Sequence, residues 1–212
     1  MTSDRARLRL VEQLQTQGIK NQRILNIINH IPRHIFIEEA MRTHSYDNKP
    51  LPIGYNQTIS QPYIVARMTE VLIEEGIPSH VLEVGTGSGY QTAVLSQLVD
   101  RVYSVERILG LHQFAQARIK ELELTNTRLY HTDGIMGLPN YAPYDGIIVT
   151  AAPQGIPLEL IEQLKIGAAM ILPVGDESEQ ILIKIIKTAT GYNKKFIEKV
   201  KFVPLLSGLL NS

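Results

Sequence analysis

The chain has 212 residues, of which 44% are hydrophobic, and its 21 Lys and Arg residues balance 21 Asp and Glu residues, so the formal net charge is zero. A neutral chain has no long-range attraction to nucleic acid or an anionic membrane. Because it contains no cysteine, disulfides, thiolate metal sites and a cysteine nucleophile are excluded. No stretch approaches the roughly 20 apolar residues of a membrane span, and no signal-peptide core is present.

These features predict a cytoplasmic protein that associates with neither nucleic acid nor membranes, and the neutral surface fits a monomer. The six histidines include no pair spaced by four residues. We therefore expect no bound metal.

Residues 1–77 predict a set of helices and a loop. Apolar residues recur at helical spacing up to Gly18, and again after Asn21, which suits the start of a second helix. A third amphipathic segment begins at Pro62, where the missing N–H of proline costs nothing in the first turn of a helix. Residues 45–52 are polar and rich in proline, and we expect them to form a loop.

From residue 78 onwards, short apolar runs alternate with helical patterns. The expected strands are residues 81–84, 102–106, 127–133, 144–150 and 168–175, and the expected helices between them are residues 92–99, 108–122 and 158–164. This alternation predicts an α/β, doubly wound fold of Rossmann-like type, with a mostly parallel sheet and helices on both faces.

The last segment, residues 176–212, contains two strand-like runs on either side of Gly191, Tyr192 and Asn193, which are typical of a hairpin turn. No linker or repeat divides the chain. We expect one domain over residues 1–212, with an N-terminal helical cap and loop (1–77), a ligand-binding core (78–175) and C-terminal antiparallel strands (176–212).

Three glycines, Gly85, Gly87 and Gly89, lie between the first core strand and the following helix. Glycine permits a sharp turn and a close approach of a ligand to the backbone. The next strand ends at Glu106, which follows Gly85 by 106 − 85 = 21 residues. A carboxylate at this position can accept hydrogen bonds from both ribose hydroxyls of a nucleoside.

The spacing of the glycines favours S-adenosylmethionine (SAM) over a dinucleotide, whose binding motif reads G-x-G-x-x-G. Here the third glycine comes one residue early and Tyr90 follows it. The acidic Glu83 suits the cationic ligand, and Asp133 is placed to bind the adenine amino group, although an Asp-Gly turn explains it equally well. The residues expected to contact SAM lie at the ends of neighbouring strands, where such sheets bind ligands. They are Glu83, Gly85, Thr86, Gly87, Ser88, Gly89, Tyr90, Gln91, Glu106, Arg107, Asp133, Gly134 and Thr150.

The fourth core strand ends in the sequence TAAP at residues 150–153. Methyltransferases that act on exocyclic base amines typically carry Asn/Asp-Pro-Pro-Tyr/Phe there. Without cysteine, the chain also lacks the nucleophile of carbon-5 cytosine methylation. Both observations argue against a nucleic-acid acceptor.

The segments QTISQPY (57–63) and EVGTGSGYQTA (83–93) resemble the protein-L-isoaspartate O-methyltransferase family. The resemblance covers nearly the whole chain and includes IPRHIF (31–36) and FVPL (202–205). One departure is Tyr55-Asn56, where the family commonly has His-Gly. Asparagine tolerates positive φ better than other non-glycine residues, so we expect the loop to keep its shape.

The resemblance implies methyl transfer to the free α-carboxylate of L-isoaspartyl residues in damaged proteins, followed by closure to a succinimide. It also implies that Ser60 is the catalytic hydroxyl. The implied substrate-binding residues are Gln57, Thr58, Ile59, Ser60, Val203, Pro204 and Leu205. Ser60 has the alternative role of a helix N-cap, and residues 203–205 that of a plain edge strand.

Three other functions stay open at this point. The chain is a candidate SAM methyltransferase for another carboxylate or hydroxyl, which the QTISQPY segment disfavours. An NAD(P)-dependent oxidoreductase is disfavoured by the glycine spacing. A non-enzymatic interaction protein is disfavoured by the presence of Ser60, Glu106 and all three glycines.

Overall fold

The computed structural model describes residues 4–211, in which six α-helices and nine β-strands are found. The helices are α1 (Asp4–Thr16), α2 (Gln22–His30), α3 (Pro62–Leu72), α4 (Tyr90–Ser96), α5 (Leu109–Glu121) and α6 (Leu158–Glu162). The strands are β1 (Leu51–Pro52), β2 (Thr58–Ile59), β3 (His80–Val84), β4 (Arg101–Glu106), β5 (Thr127–His131), β6 (Tyr144–Val149), β7 (Leu164–Gly175), β8 (Gln180–Thr188) and β9 (Gly191–Val200). None of the helices in this part of the chain is long and apolar enough to cross a membrane.

The main sheet has seven strands in the order β5-β4-β3-β6-β7-β8-β9. The first five pair in parallel, and β8 and β9 are antiparallel to their neighbours. The predicted mostly parallel sheet with C-terminal antiparallel strands is therefore confirmed. From the adjacent strands β3 and β6, the connections run outward in opposite directions, to β4 and β5 on one side and to β7 on the other. At such a point the carboxyl ends of the two strands leave a crevice for a ligand.

Both faces of the central strands are buried, because successive side chains alternate between them. In β6, Ile148 belongs to a core shared with the helices of the N-terminal half, whereas Ile147 and Val149 belong to a second core that includes Leu160 of α6. The second face is covered thinly, since α6 has only five residues and the chain adds short 3-10 turns at Gly134–Met136 and Pro139–Tyr141.

The N-terminal helices pack on the first face of the sheet. Asn21 caps α2 as expected, because its side-chain oxygen accepts hydrogen bonds from the N–H groups of Arg23 and Ile24. The same buried cluster contains Leu14 of α1 and Ile171 of β7. This continuity supports our proposal that the chain folds as one domain.

Three boundaries differ from the predictions. Strand β7 begins at Leu164, within the segment expected to be helical, because Leu164 pairs with Tyr144. The β8–β9 hairpin turns at residues 189–190, since Thr188 and Gly191 are already paired. The expected loop at residues 45–52 contains β1, which pairs with β2 in an antiparallel ribbon.

Candidate active site

The glycine loop connects the carboxyl end of β3 to the start of α4. Gly85, Gly87 and Gly89 have φ angles of 96°, 55° and 93°, in the left-handed region that favours glycine. A Cβ at Gly85 would overlap the Thr150 hydroxyl oxygen at the end of β6. The loop is fixed to the neighbouring strand, because the N–H groups of Gly85 and Thr86 both donate to the Val105 carbonyl, at 2.9 and 3.1 Å.

Glu106 closes one side of this loop. One carboxylate oxygen accepts from the Gly87 N–H at 2.8 Å, and the other accepts from the Ile108 N–H at 3.0 Å. The side chain is buried, with 6% exposed. Because an ionised carboxylate has about four lone-pair sites, each oxygen can still accept one further hydrogen bond from a ligand.

A cavity opens between this loop, the β1–β2 ribbon and the C-terminal segment. It brings together most of the residues predicted from the sequence. These are Gln57, Thr58, Ile59, Ser60, Gly85, Thr86, Gly87, Ser88, Tyr90, Gln91, Glu106, Arg107, Gly134, Thr150, Val203, Pro204 and Leu205. The cavity is thus lined by residues from the N-terminal, central and C-terminal parts of the chain.

Glu83 does not line the cavity, contrary to the expectation of a ligand contact. Its side chain is fully buried on the face of the sheet that carries α4, where the hydroxyls of Thr92 and Ser104 donate to one carboxylate oxygen. Burial raises the pKa of Glu83 to about 8. Ser104 in turn is hydrogen-bonded to Thr86 of the glycine loop at 2.6 Å, so Glu83 supports the loop from behind.

Gly89 and Asp133 also lie outside the cavity lining. A Cβ at Gly89 would lie 3.3 Å from that of Ala115 in α5, so this glycine allows close packing of the loop on the helix. Asp133 accepts hydrogen bonds from the N–H groups of Ile135 (2.9 Å) and Gly208 (2.7 Å). The adjoining Gly134, rather than the Asp133 carboxylate, reaches the cavity wall.

The segment around Ser60 contributes residues 57–60 to the cavity lining. Tyr55 and Asn56 turn the β1–β2 ribbon with φ angles of 52° and 56°, which agrees with the expectation that Asn56 adopts a glycine-like conformation. Gln61, not Ser60, occupies the N-cap position of α3, and no side chain caps that helix. The Ser60 hydroxyl is therefore not used as a helix cap.

The C-terminal segment after β9 forms the third wall. Its backbone pairs with Ala152, three residues after the end of β6, because the Ala152 N–H donates to the Val203 carbonyl and the Leu205 N–H donates to the Ala152 carbonyl, both at 2.8 Å. The alternative of a plain edge strand does not apply to residues 203–205, since β9 ends at Val200. A groove beyond Ser60 continues the cavity along Tyr63 and residues 198–203.

Several apolar residues of the lining were not predicted from the sequence. They lie at or near the carboxyl ends of β3 and β4, in turns, or in the first turn of a helix, and most are next to predicted positions. They are Ile53, Val65, Val84, Val105, Ile108, Leu111, Ala151 and Leu206. The proximity of Ile108 to Glu106 was a usable signal, because the first turn after a strand-end carboxylate faces the same crevice.

No group of three or more His, Cys, Asp or Glu side chains within residues 4–211 is arranged to hold a metal ion. The polar lining instead consists of the Glu106 carboxylate, the Arg107 guanidinium, the amides of Gln57 and Gln91, and several hydroxyls, with apolar walls. This combination suits a partly apolar organic ligand with hydroxyl groups.

Comparison with known proteins gives consistent matches over nearly the full chain. A family model described as protein-L-isoaspartate(D-aspartate) O-methyltransferase matches residues 5–210. A protein-L-isoaspartate O-methyltransferase of Methylobacillus flagellatus is 54% identical, over 98% of this chain and 95% of that protein. One of Halorhodospira halophila is 51% identical, over 98% of this chain and 94% of that protein.

Among solved structures, one assigned as a protein-L-isoaspartate O-methyltransferase of Plasmodium falciparum, in complex with S-adenosyl-L-homocysteine, is 26% identical. It superposes with a TM-score of 0.81 over 93% of this chain and 96% of that chain. A second structure, described as a protein-L-isoaspartate O-methyltransferase, has a TM-score of 0.85 and covers 96% of this chain and 67% of that one.

Proposed function

Because the chain belongs to the protein-L-isoaspartate(D-aspartate) O-methyltransferase family, we propose that the cavity between Glu106 and Ser60 is its active site. The enzyme transfers a methyl group from SAM to the free α-carboxylate of L-isoaspartyl residues in damaged peptides and proteins. The amide nitrogen of the following residue then attacks the methyl ester and displaces methanol, which closes a succinimide, and hydrolysis of the succinimide returns part of the material to normal aspartyl residues. The expected family, fold, reaction and co-substrate are thereby confirmed.

The residues present fit SAM at the glycine loop. Gly85 and Gly87 line the cavity without a side chain, which permits a ligand to lie against the backbone. Glu106 has one free acceptor position on each oxygen beyond its bonds to Gly87 and Ile108, and two ribose hydroxyls match them. We assign the ribose to Glu106 on this geometry. When bound, SAM supplies the electrophilic methyl group.

Ser60 is proposed to orient the attacking carboxylate. A carboxylate with a pKa of roughly 4 is already ionised at neutral pH and needs no general base. The protein's task is to hold an oxygen in line with the methyl carbon, and such orientation can supply roughly 7–11 kcal/mol in favourable cases. A hydroxyl donor lining the cavity holds one carboxylate oxygen and leaves the other free to attack.

The rest of the substrate is proposed to lie along the groove that continues the cavity. The groove shares Thr58, Ser60 and Val203 with the cavity, so a peptide chain can run through it while its isoaspartyl side chain enters the site. Backbone pairing between Val203 and Ala152 fixes the wall along which this chain would lie. Residues 57–60 and 203–205 thus remain our predicted substrate contacts.

The observation that carries the catalytic assignment is that Ser60 lines both spaces and does not cap α3. Ser60→Ala is expected to lower kcat on an isoaspartyl peptide by about 10–100-fold, the value of one hydrogen bond to a charged group, and to leave SAM affinity unchanged. Ser79→Ala, at the exposed opposite end of β3, is the matched control. Full turnover by the Ser60 variant would remove that residue from the mechanism.

We also propose that the enzyme acts as a cytoplasmic monomer without nucleic-acid or membrane partners. The support is compositional, namely a zero net charge and a chain without cysteine. Sedimentation at several protein concentrations tests the monomer, and a concentration-dependent increase in mass would contradict it.

A further inference from the structure

Arg33 is a buried cation that the reaction described above does not use. It begins the 3-10 turn Arg33–Phe36 in the N-terminal layer and is 0% exposed. Its guanidinium carbon lies 4.8 Å from the centre of the Tyr90 ring. Among residues 4–211, none of its three side-chain nitrogens has a hydrogen bond of normal geometry and it forms no ion pair, although the nearby Tyr90 hydroxyl acts to raise its pKa.

Such a group is costly to the folded state. A buried charge without an anionic partner loses its hydration, and contact with an aromatic face returns only part of that loss. Burial lowers the pKa of Arg33 to about 10, which leaves it charged at neutral pH. An apolar residue of similar size would stabilise the packing more. Residues that lower stability in this way are expected beside functional sites.

The partner of Arg33 belongs to the cofactor cavity. Tyr90 is the first residue of α4, directly after Gly89, and it lines the cavity while being only 2% exposed. Phe36, from the same turn as Arg33, meets the Tyr90 ring edge-on at 5.6 Å. The Tyr90 ring therefore contacts a cation over its face and a second aromatic ring in a T-shaped arrangement.

We propose that Arg33 is a positioning residue for SAM. Arg33 fixes the position of the Tyr90 ring and thereby the backbone at the end of the glycine loop, where α4 begins. The N-terminal helical layer thereby contributes to cofactor affinity although Arg33 itself does not line the cavity. This inference rests on the proposed assignment of the cavity to SAM. It places the function of Arg33 in binding of the cofactor and not in the methyl-transfer step.

The test compares SAM affinity, turnover and thermal stability in Arg33→Met, Arg33→Lys and the exposed control Arg9→Met. Arg33→Met is expected to weaken SAM binding about 10-fold, as loss of a desolvated cation–π contact predicts. Its kcat at saturating SAM and its KM for peptide should stay unchanged. Its melting temperature should be equal or higher, because an unpaired buried charge is removed.

Lysine retains the charge but not the planar group that lies over the ring. Arg33→Lys is therefore expected to weaken SAM binding about threefold or more, and it carries the test if Arg33→Met fails to fold. In a Tyr90→Leu background, Arg33→Met should cause no further loss, because its partner is absent.

SAM affinity within twofold of wild type in the folded Arg33 variants would overturn the proposal, as would fully additive losses in the double variant. A lower melting temperature with unchanged affinity would show a structural role only. Glu106→Gln separates this failure from failure of the site itself. If Glu106→Gln weakens SAM binding and Arg33→Met does not, only the role of Arg33 is wrong.

Discussion

Replacing Glu106 by glutamine tests the cofactor site with the smallest change in shape. The carboxylate uses one oxygen for the Gly87 N–H and the other for the Ile108 N–H. Glutamine has a single acceptor oxygen, so its NH2 group must face one of these two donors. The same substitution removes one of the two acceptors proposed for the ribose hydroxyls, together with the negative charge that strengthens the other.

The magnitude follows from the hydrogen bonds that are lost. A hydrogen bond to a charged group contributes about 1.5–3 kcal/mol. Losing one to the ribose and weakening the second corresponds to about 2–3 kcal/mol, or about 30–150-fold in the Kd for SAM. Because Glu106 is proposed to hold the ribose and not the reacting carboxylate, kcat at saturating SAM should change much less than Kd.

Isothermal titration with SAM measures the effect, and Glu177→Gln serves as the control because Glu177 is an exposed carboxylate away from the cavity. Thermal melting monitored by circular dichroism checks that the variants are folded. A Kd within threefold of wild type in a folded Glu106→Gln protein would refute the assignment of the ribose to this carboxylate.

Further predictions concern Glu83, Gly85 and Gly110. Burial raises the pKa of Glu83 from 4.5 to about 8, so the stability it contributes is present at acidic pH and is lost as the pH rises through about 8. The free energy of unfolding of the wild type, measured in urea, should therefore fall between about pH 5 and about pH 9, and this fall should be smaller in Glu83→Gln. A fall of equal size in the variant would contradict this. Gly85→Ala adds a Cβ that overlaps the Thr150 hydroxyl at a φ of 96°, and we expect a loss of about 1–3 kcal/mol in stability and weaker SAM binding, whereas normal SAM titration would contradict it. At Gly110, in the first turn of α5, a Cβ would overlap the Tyr55 ring. Alanine should therefore raise the free energy of unfolding by about 1 kcal/mol only in a Tyr55→Ala background, and equal gains in both backgrounds would show that the ring does not pack there.

The sheet was predictable because its strands carry a simple signal. Runs such as residues 144–150 are apolar on both faces, which is typical of parallel strands covered on both sides. The small β1–β2 ribbon escaped prediction because two-residue strands have no periodicity, and Leu51 and Pro52 are paired only through tertiary structure. The hairpin turn was misplaced by two residues because Gly191 was taken for the turn and not for the first paired residue.

The site was predictable where residues follow the ends of strands. Glu106 and Thr150 end or follow strands of one sheet, and their carboxyl ends necessarily meet at one edge. Glu83 was wrongly expected to face the ligand because alternation gives each residue a face but does not say which face opens to the cavity. The role of Arg33 had no sequence signal, since a buried cation over Tyr90 requires two distant segments to pack together.

The central claim is that this site recognises the isoaspartyl linkage. Its most direct test is a methyl-transfer assay with labelled SAM and two peptides that differ only in containing an L-isoaspartyl or a normal L-aspartyl residue. We predict label in the isoaspartyl peptide alone, as an ester that is lost when the succinimide closes. Equal labelling of both peptides, or of neither by a protein that binds SAM, would contradict the assignment.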